Sequence, residues 1–360
     1  MNKKIIPFIF FICFVVSCQQ SSQFIEYKNK NIEYSGRMTF TDTSGTEIYW
    51  SGSSIKLNFN GTAVKALLKD EKGDNYYNII VDDRKTGVIR PGISKSFYTL
   101  ADGLENGIHS VQIYKRTEWD SGTTWLYGFQ LENGTTLLPR SPEKKRKIEF
   151  YGNSITAGYA VEDTSGNDSP DSTFTNCYLS YAAITSRHFD ADYRLIVKSG
   201  IGITISWFPI LMPEIYDLTN PTDPSSKWDF SKYTPDLVII NLFQNDSWLV
   251  NMPEREEFKT NFGTQKPKKE FLINAYADFV KSIRSKYPDA KIICMLGSMD
   301  ITREDSPWPD YVREATAKLN DPNIFTHFEP YKNTPGHPNA AEQKIMADGL
   351  IKYIKQIMGW

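Results

Sequence analysis

The chain has 360 residues, 40% hydrophobic and 23% charged, and its 21 Phe, 20 Tyr and 8 Trp supply enough core to exclude disorder as the dominant state. Forty-one basic against 43 acidic residues leave a formal charge of −2, so no global field steers nucleic acid or anionic lipid to it. The length suits two domains of roughly 100–200 residues each, and a near-neutral, aromatic-rich chain fits uncharged ligands, sugars among them.

The chain opens with MNKKIIPFIFFICFVVSC, two lysines and then an apolar run from Ile5 to Val16 that is too short for a comfortable membrane span. Val15-Val16-Ser17-Cys18 resembles a bacterial lipobox, so residues 1–18 are read as a lipoprotein signal peptide with Cys18 as the lipidated residue. The expected location is the bacterial cell envelope, with the lipid anchor as the chain's sole membrane contact. An ordinary cleaved signal is the competing reading. Cys13 falls inside the signal, which leaves Cys177, before a helix, and Cys294, inside the apolar strand KIICMLG. Two free buried thiols are expected rather than a bridge.

Residues 25–138 read as short strands punctuated by turns. TEIYWSG, SIKLNFNG, AVKALLKD, YYNIIVDD, HSVQIYKR and WLYGFQLENG are separated by Asn60-Gly61, Lys72-Gly73-Asp74, Asn106-Gly107 and Asn133-Gly134. This spacing predicts a β-sandwich or jelly roll. The proline-bearing charged stretch 139–147, which ends in the basic run Lys144 to Lys147, reads as a solvated linker.

Residues 148–360 alternate strands and helices. KIEFYG, YRLIVKSG, DLVIINLF and AKIICMLGS are strands, the third a continuous apolar run suited to burial on both faces. YLSYAAITSRHF is helical behind a candidate Asn176 cap, FLINAYADFVKSIRSKYP is an amphipathic helix stopped by Pro288, and AAEQKIMADGLIKYIKQIMGW closes the chain as a helix. The alternation predicts an α/β domain with a mainly parallel sheet between helical layers, its sites at the carboxyl ends of the strands.

Four segments fall at such ends. Ser154 in GNSITAGY follows KIEFYG directly, where a serine hydroxyl sits near helix-start amides able to hold an oxyanion. Capping chemistry explains the same residues equally simply. Ser199-Gly200-Ile201-Gly202 closes the next strand, and its glycines allow either a close ligand approach or a tight turn. Gln244-Asn245-Asp246 closes the buried strand with three polar side chains, the Asn245 amide readable as an oxyanion donor and the segment equally as an Asx turn or helix cap. Gly336-His337-Pro338-Asn339 precedes the last helix, whereas His109, His188 and His327 have no comparable setting.

The ordered set Ser154, Gly200 or Gly202, Asn245 and His337 resembles the four blocks of the SGNH (GDSL) hydrolase superfamily. Gly36-Arg37, WSGSSIKLNFNG, IIVDD, NGIHSVQIYKRTE and LYGFQLENG, placed before GNSITAGY, are similar to carbohydrate esterase family 2. The resemblance implies a jelly roll joined to an SGNH esterase domain and removal of acetyl groups from plant polysaccharides of the xylan or glucomannan type, or from their oligosaccharides. It implies Ser154 as nucleophile, His337 as general base, and an oxyanion hole of the Ser154 amide, Gly200 or Gly202, and Asn245, with the Ser-Gly pairing favouring Gly200.

Two positions depart from the superfamily pattern. Asn153 stands where an Asp usually precedes the nucleophile, and Thr334 stands three residues before His337, where an acid is common. Family 2 enzymes often lack this acid and orient the imidazole through a main-chain carbonyl, so the resemblance implies a Ser-His dyad, with Asp300 and Glu329 as candidate third members. Trp248 and Trp308, in polar loops, and Trp207 are candidates for a sugar platform, with core packing the competing explanation for Trp207. No His/Cys/Asp cluster has metal-ligand spacing, so neither metal nor other cofactor is expected, and nor is nucleic acid. The chain is expected to be a monomer. An SGNH lipase or aryl-esterase, and a glycan-binding lipoprotein with a decayed catalytic domain, are the alternative readings.

Overall fold

The structure, a computed structural model, describes residues 22–40 and 45–360. Residues 1–18, the expected signal segment with Cys18, lie outside the described residues. Two antiparallel sheets come first. One contains β1 (Gln23–Glu26), β3 (Met38–Thr39), β4 (Thr46–Ile48), β6 (Val64–Asp70), β9 (Ser96–Ala101) and β11 (Thr124–Leu131) in the order β3-β4-β11-β6-β9, with β1 also on β11. The other contains β2 (Glu33–Ser35), β5 (Ser54–Gly61), β7 (Tyr77–Val81), β8 (Arg84–Ile89), β10 (Gly107–Lys115) and β12 (Thr136–Leu137) in the order β12-β5-β10-β7-β8, with β2 also on β5. Alternation drives the packing. In β6, Val64, Ala66 and Leu68 turn inward and Lys65, Leu67 and Lys69 outward, so each sheet buries one face.

The second region holds a five-stranded sheet in the order β14-β13-β15-β16-β17: β13 (Arg146–Gly152), β14 (Ala191–Val197), β15 (Leu237–Asn241), β16 (Lys291–Leu296) and β17 (Ile324–Phe328). Every pairing is parallel. All five residues of β15 are buried, as its apolar run requires of a central strand. Val238 and Ile240 pack toward α6 (Lys269–Lys286) and α7 (Trp308–Leu319), while Leu237 and Ile239 pack toward α2 (Tyr181–His188) and α8 (Ala340–Met358). Helices therefore cover both faces, giving the three layers. Shorter helices follow strand ends: α1 (Ser154–Ala157), α3 (Met212–Ile215), α4 (Gln244–Leu249) and α5 (Glu256–Phe262).

Three local expectations change. Ser180, not Asn176, caps α2, because the Asn176 side chain is used between domains, donating to Glu162 Oε1 (2.9 Å) and accepting from Asn78 (3.2 Å). Gln244-Asn245-Asp246 forms the first turn of α4, which places Trp248 in a helix and not in a polar loop. Trp308 opens α7 instead of lying in a loop. Cys177 and Cys294 are both free and buried, as the sequence predicts.

The two regions meet through buried polar contacts. Arg37, in the connection between β2 and β3, inserts its guanidinium into the α/β domain. It donates to Glu149 Oε1 (3.0 Å) and the Tyr151 hydroxyl (3.2 Å) on β13, and to the carbonyls of Tyr216 (2.6 Å) and Leu218 (3.1 Å). Tyr287 adds a donor to the same carboxylate oxygen at 2.9 Å. Burial alone would lower the Arg37 pKa, but Glu149, Tyr151 and Tyr287 together outweigh it and hold the cation above its ordinary value. Nearby, Trp50 donates its indole N–H to the Thr219 carbonyl at 2.8 Å.

A buried carboxylate stripped of its cation is costly, on the order of 3–5 kcal/mol. Arg37→Met should therefore lower stability to urea by about that amount. Adding Glu149→Gln in the same chain should restore part of the loss, since the orphaned charge is then gone. Equal midpoints for Arg37→Met and the parent would show that docking does not depend on this pair.

Candidate active site

The strand order places β13 beside β15, where the sheet's winding reverses, and ligands in such folds bind outside the carboxyl ends at that point. The chain supplies polar residues there. β13 ends at Gly152, and Ser154 becomes the first residue of α1. Asn153 caps this helix, its side-chain oxygen accepting from the Ile155 amide at 3.1 Å. A neutral amide thus does the capping that an Asp would otherwise do. The Ser154 N–H has no acceptor among the described residues.

His337 arrives on the loop before α8. Its Nε2 lies 2.8 Å from Ser154 Oγ. Its other ring nitrogen, Nδ1, lies 2.8 Å from Asp168 Oδ2, while its backbone N–H donates to Asp168 Oδ1 at 2.7 Å. Burial pushes the Asp168 carboxyl up, but the ring bond, the backbone bond and the charges of His337 and Lys332 together take it below the ordinary carboxylate value. An ionised carboxylate can only accept, so Nδ1 carries the hydrogen and Nε2 is left to accept from the serine hydroxyl. Gly336 makes this possible: at φ 70° it is left-handed, and a Cβ there would lie 2.8 Å from Asp168 Oδ1.

The dyad expectation is therefore corrected, because a side-chain carboxylate holds the imidazole, and neither proposed acid is the one that does so. Asp300 accepts from Gln244 Nε2 (3.1 Å) and Trp248 Nε1 (2.8 Å). Glu329 is buried against His327 Nε2 at 2.7 Å. Thr334 bonds to Glu342 at the start of α8. Asp168 was missed because it lies in DTSGNDSPDST, where Asp163 and Asp171 form ordinary turns with Ser165 and Thr173. Nothing local distinguishes it from them. The one signal is the glycine directly before His337, which makes room for it.

Hydrogen bonding separates the two glycines. The Gly202 N–H donates to Ser206 Oγ at 2.9 Å, whereas the Gly200 N–H has no acceptor among the described residues. Gly200 adopts φ 82° and its carbonyl accepts from the Trp207 amide at 3.0 Å. Asn245 is oriented at both ends: Oδ1 accepts from Trp207 Nε1 (3.1 Å) and Nδ2 donates to the Ile201 carbonyl (2.8 Å), leaving one N–H. Asp246, fully buried, accepts from the Ile203 and Thr204 amides and the Thr204 hydroxyl, which ties the glycine loop to α4. Phe243 just before that helix has φ 79°, a left-handed backbone for a bulky residue, and its ring packs on Tyr276 (4.7 Å) and Trp308 (5.0 Å).

That stack corrects the reading of Trp308, which is core and offers no face to a sugar. Trp248 is partly buried, with its N–H directed to Asp300. Trp207 contacts the Asn245 amide, and Arg255 lies over its ring at 4.6 Å. Together these groups form a serine–imidazole–carboxylate hydrogen-bond chain, and the Ser154 and Gly200 amides and one Asn245 N–H have no acceptor among the described residues, a set of groups suited to acyl transfer.

Residues 34–141 match the carbohydrate esterase 2 N-terminal family, and 150–323 match the GDSL-like lipase/acylhydrolase family. The cellulase/esterase CelE of Acetivibrio thermocellus is 35% identical over 95% of this chain, which spans 41% of that relative's length. An acetylxylan esterase/glucomannan deacetylase of Cellvibrio japonicus is 25% identical, over 96% of this chain and 94% of its own. Among solved structures, a family two carbohydrate esterase from Clostridium thermocellum in complex with cellohexaose superposes with a TM-score of 0.82 at 34% identity, covering 91% of this chain and 99% of that one. With that coverage on both sides, and with a jelly-roll-like sandwich ahead of the parallel-sheet domain, the chain belongs to carbohydrate esterase family 2.

Proposed function

We propose that the protein is a secreted, lipid-anchored acetyl esterase that removes O-acetyl groups from plant polysaccharides of the xylan or glucomannan type, or from their oligosaccharides. The observation that carries this reading is the unbroken hydrogen-bond chain Ser154–His337–Asp168 beside unpaired N–H donors. The substrate class rests on the relatives, named for acetylxylan and glucomannan, and on the cellohexaose held by a family member.

In the reaction, Ser154 Oγ attacks the acetyl carbonyl as His337 Nε2 takes its proton. The Ser154 and Gly200 amides and the free Asn245 N–H hold the tetrahedral oxyanion. His337 then protonates the departing sugar oxygen, and the acetyl group remains on Ser154. Water attacks this ester with His337 as base, and acetate leaves as Ser154 regains its proton. Asp168 holds the imidazole tautomer and stabilises the imidazolium. A decayed, purely glycan-binding domain would have no reason to keep these groups in register.

Acetate release from acetylated xylan and glucomannan, against release from long-chain nitrophenyl esters, tests the reading directly. Selective release from the polysaccharides is expected. Ser154→Ala should abolish that activity while the fold persists, and an active variant would displace Ser154 as nucleophile.

Asp168→Asn should lower kcat by about 10⁴-fold, since the amide favours the wrong tautomer. Asp300→Asn should change it little. Because the Asp168 carboxyl sits below its unfolded value, its stabilising contact is complete above the ordinary carboxylate range and is lost only as pH falls toward that lower value. Activity at neutral pH should therefore not titrate with this group. A loss under tenfold for Asp168→Asn would return the site to a dyad.

The anchor is tested at Cys18. Acyl chains contribute about 0.8 kcal/mol per buried methylene, so the acylated protein partitions into membranes. Cys18→Ser should move it out of the membrane fraction and prevent labelling by radioactive fatty acid. An unlabelled native protein would make the leader an ordinary signal peptide.

A further inference from the structure

The connection between β10 and β11, residues 116–123, leaves the sandwich and runs along the loops that carry the site. Arg116 at its start donates to Glu162 and to the Thr173 carbonyl (2.8 Å), and its own carbonyl accepts from the Cys177 amide (3.1 Å). Two residues on, Glu118 is buried. One carboxylate oxygen accepts from the Ser199 amide and the other from the Ser199 hydroxyl. Lys198 Nζ lies 3.6 Å from Glu118 Oε2 and 2.9 Å from Asp120 Oδ2. The hydrolysis described above makes no use of this carboxylate.

The sandwich also fixes the backbone that bears it. Lys115, fully buried, donates from Nζ to the carbonyls of Thr117 (3.2 Å) and Glu118 (2.9 Å) and to the Asn75 side chain, which in turn donates to Asp70 (2.9 Å). Glu118 is thus presented from a rigid base to the residue immediately before Gly200. On the other flank, the Gly200 carbonyl is fixed by the Trp207 amide. Between these two restraints, the Gly200 N–H has no acceptor among the described residues.

We propose that Glu118 is a positioning residue through which the sandwich sets the Gly200 amide of the oxyanion hole. The inference rests on the reading of Gly200 as an oxyanion donor in an esterase. Its physical content is that a carboxylate accepts from both Ser199 groups and pairs with Lys198, whereas a glutamine accepts at one oxygen only, loses the charge that Lys198 faces, and keeps its second contact only if the Ser199 hydroxyl turns round to accept. Small misplacements of an oxyanion donor are expensive in rate.

The test uses the full chain with 4-nitrophenyl acetate, an ester that makes no sugar contacts. Glu118→Gln should lower kcat by roughly ten- to hundredfold, with KM within about twofold and the melting temperature near the parent's. Ser199→Ala removes only the hydroxyl, and should cost a few-fold in kcat at constant KM. Combined, the two should lose less than the product of the single effects, because both act through one carboxylate. A kcat for Glu118→Gln within twofold of the parent, a loss explained by its folded fraction, or strictly multiplicative effects would overturn the proposal. If Glu118→Gln does not fold, Ser199→Ala decides alone, and an unchanged kcat overturns it. A parent without esterase activity, or an active Ser154→Ala, would instead remove the functional reading itself.

Discussion

A guanidinium buried across a domain boundary organises this molecule. Arg37 reaches from the sandwich to the middle of β13, where Glu149 and two tyrosines enclose it. A charge pair of this kind is a poor source of net stability, because desolvation consumes most of the attraction. It is an effective source of registration, because a docking that separated Arg37 from Glu149 would leave two buried charges unpaired. Around it, Tyr49 and Trp50 of the sandwich enter one core of the α/β domain, and Ile80 and Tyr114 enter the other. The sandwich therefore extends the catalytic fold, in contrast to a module hung from a linker.

This docking explains why the site can be assembled from distant segments with short hydrogen bonds. The parallel sheet gathers the carboxyl ends of β13, β14 and β15, and so brings together Ser154, Gly200 and Asn245. Each is then restrained from a second direction: Asn153 caps α1 beneath Ser154, Asp246 ties the glycine loop to α4, and Trp207 orients Asn245. Gln343 on α8 donates to the Ile155 carbonyl (2.9 Å) and accepts from the Tyr181 amide (2.7 Å), which fixes the helix after His337 against α1 and α2. The groups of the candidate site are thus held by their own hydrogen bonds and by those of their neighbours.

The strands and the layer order were legible in the sequence, because strand ends in a parallel sheet are marked by abrupt changes from apolar to polar residues. The candidates Ser154, Gly200 or Gly202, Asn245 and His337 were legible through their order along the chain, and the structure brings Ser154 and His337 into contact. Three things stayed hidden. Asp168 is one carboxylate among several in a turn-rich loop, and only the tertiary approach of Gly336 distinguishes it. Trp308 sits among prolines and acids that read as loop, yet Pro309 occupies the first turn of a helix, where its missing N–H costs nothing. Arg37 and Glu118 lie in a region whose pattern announces strands and turns. Their partners are 112 and 81 residues away, a separation that no local periodicity encodes.

Phe243 bears on how the protein tolerates change. A bulky residue in the left-handed region costs on the order of 1–3 kcal/mol, and here it makes the turn into α4, the helix that carries Asn245. The ring's burial on Tyr276 and Trp308 offsets that cost. Glycine would relax the backbone and forfeit the stack, and a smaller apolar residue would keep the strain and lose the ring. Substitutions at Tyr276 or Trp308, which touch none of the reacting atoms, would release the same turn. In a map of mutational tolerance these core aromatics would score as intolerant alongside the residues of the site, so conservation across the family would mark the geometry of the turn as much as the chemistry it serves.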